Sequence, residues 1–344
     1  MAEEPVFFEV IFLKRNAIDD LIFKANEIGA SDLHMIAGLP AIIRDINGVL
    51  TKFGSVCLSS DQILFYAEPF FEEHYSKLLE ENGDADLAYT TTDGIRVRIN
   101  IFKSISGANL AIRILHDKIP SMQTLNLPVP VQLISRKQHG LVLFSAPTGN
   151  GKTTSIAAIL QSINESLSKR IITIEDPVEY IFPQSKSVIS QREIGRDCSS
   201  FARGLYAALR EDPDIIMIGE MRDAETILAA ISAAESGHLV FSTLHSSNVV
   251  EAIDRLTQYF PPSQHDVILA QFANVFEALI CQHLHPLKYK TGKIASFEVL
   301  LSTVATRQLI RNNQVNDLPG YMHEQDGMIL MEKYEKRLRE KQLI

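Results

Sequence analysis

The 344-residue sequence has few cysteines, no long apolar run and no excess of positive charge. Its three cysteines, Cys57, Cys198 and Cys281, are scattered and form no C-x-x-C pair, which argues against a disulfide framework or a four-cysteine zinc site. No apolar stretch approaches the roughly 20 residues of a membrane-spanning helix. The acidic first residues do not resemble a secretory signal. We therefore expect a soluble, cytoplasmic protein.

The charge balance excludes one class of function. Forty-two acidic residues against 33 basic ones give a net charge of −9. Proteins that bind nucleic acid without sequence preference draw most of their affinity from lysine and arginine on phosphates, so no nucleic-acid partner is expected. The length allows about two domains of ~100–200 residues each, and a hydrophobic content of 46% supplies their cores.

A glycine-rich loop is the most informative motif. An apolar run at 141–144 precedes it, and apolar residues at helical spacing follow it, which is the strand–loop–helix context of a phosphate-binding P-loop. We expect Lys152 to reach the β- and γ-phosphates and the Thr153 hydroxyl to ligate Mg²⁺, so ATP and Mg²⁺ are the predicted cofactors. The residues predicted to bind the nucleotide here are Pro147, Thr148, Gly149, Asn150, Gly151, Lys152, Thr153 and Thr154.

The loop departs from the consensus G-x-x-x-x-G-K-[ST] at one position. Ala146 stands where that pattern has its first glycine, while residues 149–152 are intact. Alanine adds only one methyl group, so we expect nucleotide binding to be retained. The effect of Ala146 on the rate of hydrolysis is left open.

Carboxylates follow two predicted strands of the same region. Glu175, Asp176 and Glu179 come after the strand at 170–174, and Glu220 closes a short apolar run as in a Walker B motif. Chemistry in α/β sheets is placed at the carboxyl ends of strands. An ATPase needs a carboxylate to orient or deprotonate water, and another to hold Mg²⁺ through water, the role predicted for Glu220. An acidic turn or helix cap is the alternative for the first group.

Strands and helices alternate from 141 to 245, which predicts a parallel sheet with helices on both faces, a RecA-like α/β core. His245 follows the strand predicted after the Walker B run. It either senses the γ-phosphate side of the site or is structural. Helices are also predicted over 248–258, 263–284 and 331–341.

The first part of the chain has a different pattern, typical of a small α+β domain. An amphipathic helix from residue 16, with Ile28 on its apolar face, precedes short strands and an Asn47-Gly48 turn. Two later strands alternate apolar residues with arginines. Arg96, Arg98 and Arg113 form either a solvated face or a cationic face aimed at phosphates. We predict domains at 1–116 and 131–344, joined by a proline-containing linker at 117–130.

Several motifs together resemble one known family. They lie at residues 29–33, 146–154, 174–180, 191–195 and 209–223, so that they cover nearly the whole chain. The sequence resembles the secretion-ATPase superfamily of type II secretion and type IV pili, and within it the PilT/PilU-like retraction ATPases. The absence of a four-cysteine zinc insert fits the retraction branch. The run at 305–311 departs from the family's retraction signature, because Thr306 replaces an apolar residue there.

The resemblance implies an ATPase that forms a homo-hexameric ring and powers pilus retraction and twitching motility. It implies a PAS-like N-terminal domain, a RecA-like P-loop NTPase domain and a helical C-terminal extension. It also implies the inner-membrane pilus platform protein and a paralogous pilus ATPase as partners, with the protein peripheral at the inner face of the membrane. An extension or secretion ATPase and a weakly hydrolysing accessory ring subunit are the alternatives.

The resemblance further implies roles for individual residues. Glu179 is the catalytic carboxylate of an acidic motif shared with Glu175 and Asp176, and Glu220 belongs to the Walker B motif. The arginines are directed at the nucleotide phosphates. The remaining residues implied in the site are His238 and His245.

Overall fold

The computed structural model describes residues 17–45, 48–71, 73–115, 118–289 and 292–344, and of Glu73 and His74 only the backbone. The chain divides into two compact units, and each is described by itself. Unit 1 comprises Met1–Lys118 together with Pro177–Ile181, and unit 2 comprises Ile119–Asp176 together with Phe182–Ile344. The first residue of the predicted linker and the predicted turn residue Asn47 lie outside the described residues.

Unit 1 is built on one antiparallel sheet. In its described residues the sheet order is β3-β2-β1-β6-β5-β4. The strands are β1 (Asp32–Ile36), β2 (Ile42–Arg44), β3 (Leu50–Lys52), β4 (Asp84–Thr90), β5 (Arg96–Ser104) and β6 (Gly107–Ile114). The helices are α1 (Ala17–Glu27), α2 (Ser60–Ala67) and α3 (Glu73–Glu81).

Alternation along the strands separates the two faces of this sheet. In β5, Val97, Ile99 and Ile101 are buried in the core, whereas Arg96 and Arg98 lie on the opposite face. The core face packs against the helices, and the other face carries the polar side chains. The predicted antiparallel arrangement is therefore confirmed.

Local signals explain where the helices of unit 1 begin and end. Ser59 and Gln62 form a reciprocal capping box at the start of α2, with hydrogen bonds of 3.2 and 2.7 Å. Helix α1 ends before Gly29, whose φ of +73° is readily adopted by glycine. The prediction that Ile28 shares the buried face of α1 was wrong, because Ile28 lies beyond the helix end and is 55% exposed.

Unit 2 is built on a larger, mostly parallel sheet. Its strands are β7 (Gly140–Ser145), β8 (Arg170–Glu175), β9 (Val188–Glu193), β10 (Ile215–Ile218), β11 (Leu239–Leu244), β12 (Phe276–Pro286) and β13 (Lys293–Leu301). Its helices are α4 (Val129–Gln132), α5 (Lys152–Ser166), α6 (Phe201–Ala208), α7 (Ala224–Glu235), α8 (Val249–Gln258), α9 (His265–Val275), α10 (Val304–Arg311), α11 (Leu318–Tyr321) and α12 (Met331–Glu340).

The sheet order in the described part of unit 2 is β13-β12-β7-β11-β10-β8-β9. All neighbouring pairs are parallel except β12 with β13, which are antiparallel. The central strands are fully buried because helices cover both faces. This arrangement confirms the predicted α/β fold. Among the described helices of the chain, none is long and apolar enough to cross a membrane.

The prediction of a continuous helix over 263–284 was wrong. Helix α9 ends at Val275, and β12 begins at the next residue. The apolar run after Phe276 fits either a helix or a strand by composition. It becomes a strand because β7 on one side and β13 on the other satisfy its backbone hydrogen bonds.

Thr306 has a clear structural role in α10. Its side chain completes a capping box with Thr303 and donates a hydrogen bond of 3.0 Å to the carbonyl of Leu301. The hydroxyl is fully buried and satisfied, so a polar residue is accommodated at this position.

Candidate functional site

The carboxyl ends of four parallel strands of unit 2 share one edge of the sheet. Strand β7 leads into the P-loop, β11 into His245, β10 into Glu220, and β8 ends at Glu175. Because β11 lies between β7 and β10, the strands that lead into the P-loop and into Glu220 are two strand spacings apart, about 10 Å. The fold thus brings most of the residues predicted in unit 2 to one edge.

Gly149 and Gly151 of the P-loop are both in the left-handed backbone region, but their surroundings differ. Gly149 has φ +79° and an exposed backbone, and a Cβ atom there would meet nothing within 4 Å. Gly151 has φ +78°, caps α5, and would place a Cβ atom 2.9 Å from Nε2 of Gln282. Helix α5 has no side-chain cap and no acid in its first turn. Its N-terminal N–H groups are therefore suited to an anion.

Ala146 does not need to be glycine in this loop. The non-glycine residues with positive φ among those described are Asn126, Asp212, Asn313 and Gln342, and Ala146 is not one of them. Its methyl group is completely buried, and its N–H donates to the carbonyl of Leu244 over 3.3 Å. The departure from the consensus therefore introduces no backbone strain.

Lys152 is held against the loop that precedes it. Its side chain is buried, and Nζ donates a hydrogen bond of 2.6 Å to the carbonyl of Ala146. An ammonium group has three donors, so this bond is compatible with further acceptors such as phosphate oxygens. Thr153 and Thr154 follow in the first turn of α5 and are half-buried, whereas Pro147 and Thr148 are exposed.

Asn150, predicted to bind nucleotide, uses its side chain within the protein. Its Nδ2 donates to the carbonyl of Pro147 over 3.1 Å, and its Oδ1 accepts from the N–H of Leu284 over 2.8 Å. The carbonyl of Asn150 accepts from Nε2 of Gln282 over 2.7 Å. Sequence reasoning missed Gln282, although an amide inside a buried strand is an unusual residue that signals a specific partner.

Glu220 and His245 form a pair between two strand ends. Nε2 of His245 lies 3.1 Å from Oε2 of Glu220, and Arg222 forms an ion pair with the same carboxylate. Burial lowers the pKa of His245, the charge of Lys152 lowers it further, and the hydrogen bond with Glu220 offsets part of this effect. At neutral pH a neutral imidazole therefore donates its Nε2 proton to the Glu220 carboxylate.

Two further side chains connect the loops at this edge. The hydroxyl of Thr243 donates to the carbonyl of Gly219 over 2.6 Å. The hydroxyl of Ser145 donates to the carbonyl of Ser246 over 2.8 Å and accepts from its N–H. These bonds fix the residues before Glu220 and after His245 relative to the strands that carry them.

The acidic group after β8 is divided between the two units. Glu175 is buried at the strand end, where Oε1 accepts from the hydroxyl of Thr173 over 2.6 Å and from Nε2 of Gln191 over 3.3 Å. Asp176 is exposed. Glu179 lies in the segment Pro177–Ile181, which belongs to unit 1. The strand therefore ends one residue before the chain changes unit.

The structure does not bring His238 to the edge that carries the P-loop. It precedes β11, so it lies at the amino end of that strand, with its carbonyl bonded to the N–H of Gly140. Its Nδ1 is 3.0 Å from the carbonyl of Ala233 and 2.9 Å from the hydroxyl of Ser236. His238 therefore supports the end of the helix that precedes it.

The three arginines share the polar face of the unit 1 sheet, and Arg98 pairs directly with Arg113 across β5 and β6. Nε of Arg98 donates to both oxygens of Asp86 over 3.0 and 3.1 Å. Arg113 donates to Asp32 over 3.0 Å. A cavity of about 270 Å³ opens beside these two arginines.

Arg96 has partners of another kind in unit 1. It donates to the Thr90 hydroxyl over 2.9 Å and to the carbonyl of Val178 over 3.4 Å. Val178 lies next to Glu179 in the segment Pro177–Ile181. Arg96 therefore contacts the backbone of the segment that carries the predicted catalytic carboxylate.

The described residues contain no group of three or more histidine, cysteine, aspartate or glutamate side chains able to hold a metal ion. Of the two residues predicted to assist Mg²⁺, Thr153 lies in the first turn of α5 and Glu220 follows β10. This donor set fits Mg²⁺ bound mainly by phosphate and water.

Comparisons with known proteins identify the family and several relatives of this chain. The family model of the type II/IV secretion system proteins matches residues 77–342. The uncharacterized protein YggR of Escherichia coli (strain K12) is 35% identical over 95% of this chain and 99% of its own length. The type IV pilus retraction ATPase PilT of Pseudomonas aeruginosa is 37% identical over 86% of this chain and 85% of its own length.

A solved structure agrees as well. The crystal structure of the pilus retraction motor PilT with bound ADP superimposes with a TM-score of 0.87 and 38% sequence identity. The match covers 95% of this chain and 94% of that one. The likeness thus includes both sheets rather than the nucleotide-binding core alone.

Proposed function

Because this chain belongs to the type II/IV secretion system protein family, we propose that it is an ATPase motor that powers type IV pilus retraction. The observation that carries the proposal is the P-loop edge of unit 2. There the open glycine backbone, the buried Lys152 and the Glu220–His245 pair lie at the ends of adjacent strands.

In this proposal the β- and γ-phosphates of ATP bind the N–H groups of the P-loop and the ammonium of Lys152. The Thr153 hydroxyl would hold Mg²⁺ directly and Glu220 would hold it through water, and the ion would supply positive charge to the phosphates. Glu179 serves as the carboxylate that orients the attacking water. His245 holds Glu220 in place, and Asn150 acts through the loop rather than through direct side-chain contact.

The arginines of unit 1 supply positive charge to the phosphates. In the structure Arg98 and Arg113 are paired with carboxylates, but the arginine side chains are 38% and 65% exposed. Exposed ion pairs contribute only about 0–1 kcal/mol each, so exchanging Asp86 for phosphate costs little. The Asp32 side chain is only 14% exposed, but Arg44 lies 3.9 Å from it and remains as a partner when Arg113 leaves. A bidentate contact between a guanidinium and a transferring phosphoryl group contributes more free energy than such an exposed ion pair.

The assembly is part of the proposal. The motor acts as a homo-hexamer at the cytoplasmic face of the membrane, where it contacts the pilus platform protein and, in some systems, a paralogous ATPase. The PilU protein of Pseudomonas aeruginosa, named as a type IV pilus ATPase, is 34% identical to this chain. This likeness supports a paralogous ATPase as a partner.

Steady-state ATP hydrolysis by the purified protein tests the proposal. Lys152→Ala should lower turnover by at least ~100-fold, since it removes the cation that faces the developing phosphate charge. Lys169→Ala is the matched control. It also removes a lysine from unit 2, but this lysine pairs with Asp214 and not with the P-loop. Normal turnover by Lys152→Ala would refute the assignment.

A further inference from the structure

Gln282 connects the P-loop to a strand far along the chain. It lies in β12, is 3% exposed, and uses both ends of its amide. Nε2 donates to the carbonyl of Asn150 over 2.7 Å, and Oε1 accepts from the hydroxyl of Ser155 over 2.7 Å. One buried side chain thus joins the glycine-rich loop to the first turn of helix α5.

The orientation of this amide follows from its partners. A backbone carbonyl can only accept a hydrogen bond, so the NH₂ group must face Asn150. The Ser155 hydroxyl can donate, so it serves the amide oxygen. Gly151 makes this approach possible, because a Cβ atom at that position would lie 2.9 Å from Nε2 of Gln282.

Asn150 provides the second half of the same connection. Its Oδ1 accepts from the N–H of Leu284, two residues beyond Gln282, and its Nδ2 turns back to the carbonyl of Pro147. The backbone and the side chain of Asn150 are therefore both bound to β12. The exposed residues 147–149 form a short loop between strand β7 and Asn150.

We propose that Gln282 is a positioning residue for nucleotide binding, and that with Asn150 it holds the P-loop in the conformation that receives the phosphates. The inference rests on the proposed function, because it concerns the same site. A glycine-containing loop has many backbone conformations, and ordering it on binding costs free energy. Bonds that order the loop beforehand lower this cost and so strengthen binding.

Two substitutions separate this role from simple packing. Gln282→Leu keeps the volume but leaves the carbonyl of Asn150 without its donor. Gln282→Glu keeps the shape and the acceptor for Ser155, but it places a carboxylate oxygen against the Asn150 carbonyl. Protonation of that carboxyl restores a donor, so its effect should depend on pH.

The test is ADP affinity measured by titration calorimetry, together with the melting temperature of each variant. Gln282→Leu and Gln282→Glu should bind ADP ~10- to 100-fold more weakly than wild type near pH 8, and KM for ATP should rise more than kcat falls. Between about pH 8 and pH 6, Gln282→Glu should regain affinity relative to wild type, whereas Gln282→Leu should not.

The matched control is Gln132→Glu. This substitution also replaces an amide that donates to a backbone carbonyl, that of Leu127 over 2.6 Å, but outside the P-loop. It should lower the melting temperature without changing ADP affinity. Wild-type ADP affinity in both Gln282 variants would overturn this inference but not the proposed function. An equal loss of ADP affinity in Gln132→Glu would do the same. Absence of ADP binding by the wild-type protein would instead refute the proposed function.

Should Gln282→Leu fail to fold, Ser155→Ala and Gln282→Glu still decide the matter. Ser155→Ala removes only the hydroxyl that orients the amide oxygen, and it should weaken ADP binding by ~2- to 10-fold. Unchanged ADP affinity in Ser155→Ala, together with pH-independent affinity in Gln282→Glu, would contradict the positioning role.

Discussion

The imidazole of His245 donates to the carboxylate of Glu220, with 3.1 Å between Nε2 and Oε2. The two residues follow adjacent parallel strands, so the bond joins two elements of the P-loop edge. Arg255 reinforces it by donating to the carbonyl of His245 over 2.8 Å. These two bonds fix the direction of the Glu220 carboxylate.

Glu220→Gln and Glu179→Gln should each lower kcat for ATP by ~100-fold or more while leaving the affinity for ADP, measured without Mg²⁺, within a few-fold of wild type, since the first removes the carboxylate proposed to hold Mg²⁺ and the second the carboxylate proposed to orient the attacking water. Rates come from phosphate release and affinity from calorimetry. Glu211→Gln is the control, because Glu211 pairs with Arg192 instead. Unchanged kcat in both test variants would contradict the assignment of the carboxylates.

The lowered pKa of His245 has a consequence for stability. Below about pH 6.5 the unfolded chain binds a proton at this residue more readily than the folded protein does. The contribution of neutral His245 to the free energy of unfolding is therefore complete above that pH, and it is lost as the pH falls through the pKa of His245 in the folded protein. The difference in unfolding free energy between wild type and His245→Gln should decrease between about pH 7 and pH 5. Denaturant titrations would measure it, and a difference that does not depend on pH would contradict this prediction.

Arg98→Ala and Arg113→Ala should lower ATP turnover by ~10-fold or more, because each removes a guanidinium proposed to contact the phosphates. Their ion pairs are exposed, so the unfolding free energy should change by no more than about 1 kcal/mol. Arg44→Ala is a matched control. Arg44 lies on the same sheet, 3.9 Å from Asp32, and is not proposed to contact nucleotide. If Arg98→Ala and Arg113→Ala hydrolyse ATP as fast as the Arg44→Ala control, the proposed role of the two arginines is contradicted.

Single- or double-stranded DNA should leave the ATPase rate unchanged. The chain carries a net charge of −9, and nucleic-acid translocases depend on extended basic surfaces that follow the phosphate backbone. Phosphate release measured with and without DNA at low salt is sufficient. A salt-sensitive stimulation of several-fold would favour a translocase instead.

Much of the fold follows from short-range patterns. The alternation in β5 predicted a strand with one buried face, and the strand–loop–helix pattern around Lys152 predicted the P-loop, because both depend on neighbouring residues. The segment 276–284 was predicted wrongly for the opposite reason. Its strand character depends on β7 and β13, which the local sequence does not reveal.

In the candidate site, too, the features set by neighbouring residues were predictable and the contacts between distant residues were not. Carboxylates after buried strands were found by position, and the parallel sheet brings Glu175 and Glu220 to one edge. The contacts of Gln282 with Asn150 join residues separated by 132 positions, so no local pattern predicts them. The carboxylate partners of Arg98 and Arg113 likewise come from strand register, which sequence spacing alone does not provide.

Pilus number per cell tests the central claim most directly, in a strain of the source organism that lacks this gene and carries it again as wild type or as Lys152→Ala. A retraction ATPase predicts abundant, non-retracting pili in the deletion strain, normal numbers with the wild-type gene, and no restoration by Lys152→Ala. Cells without pili after the deletion, or full restoration by Lys152→Ala, would contradict an ATP-driven retraction motor.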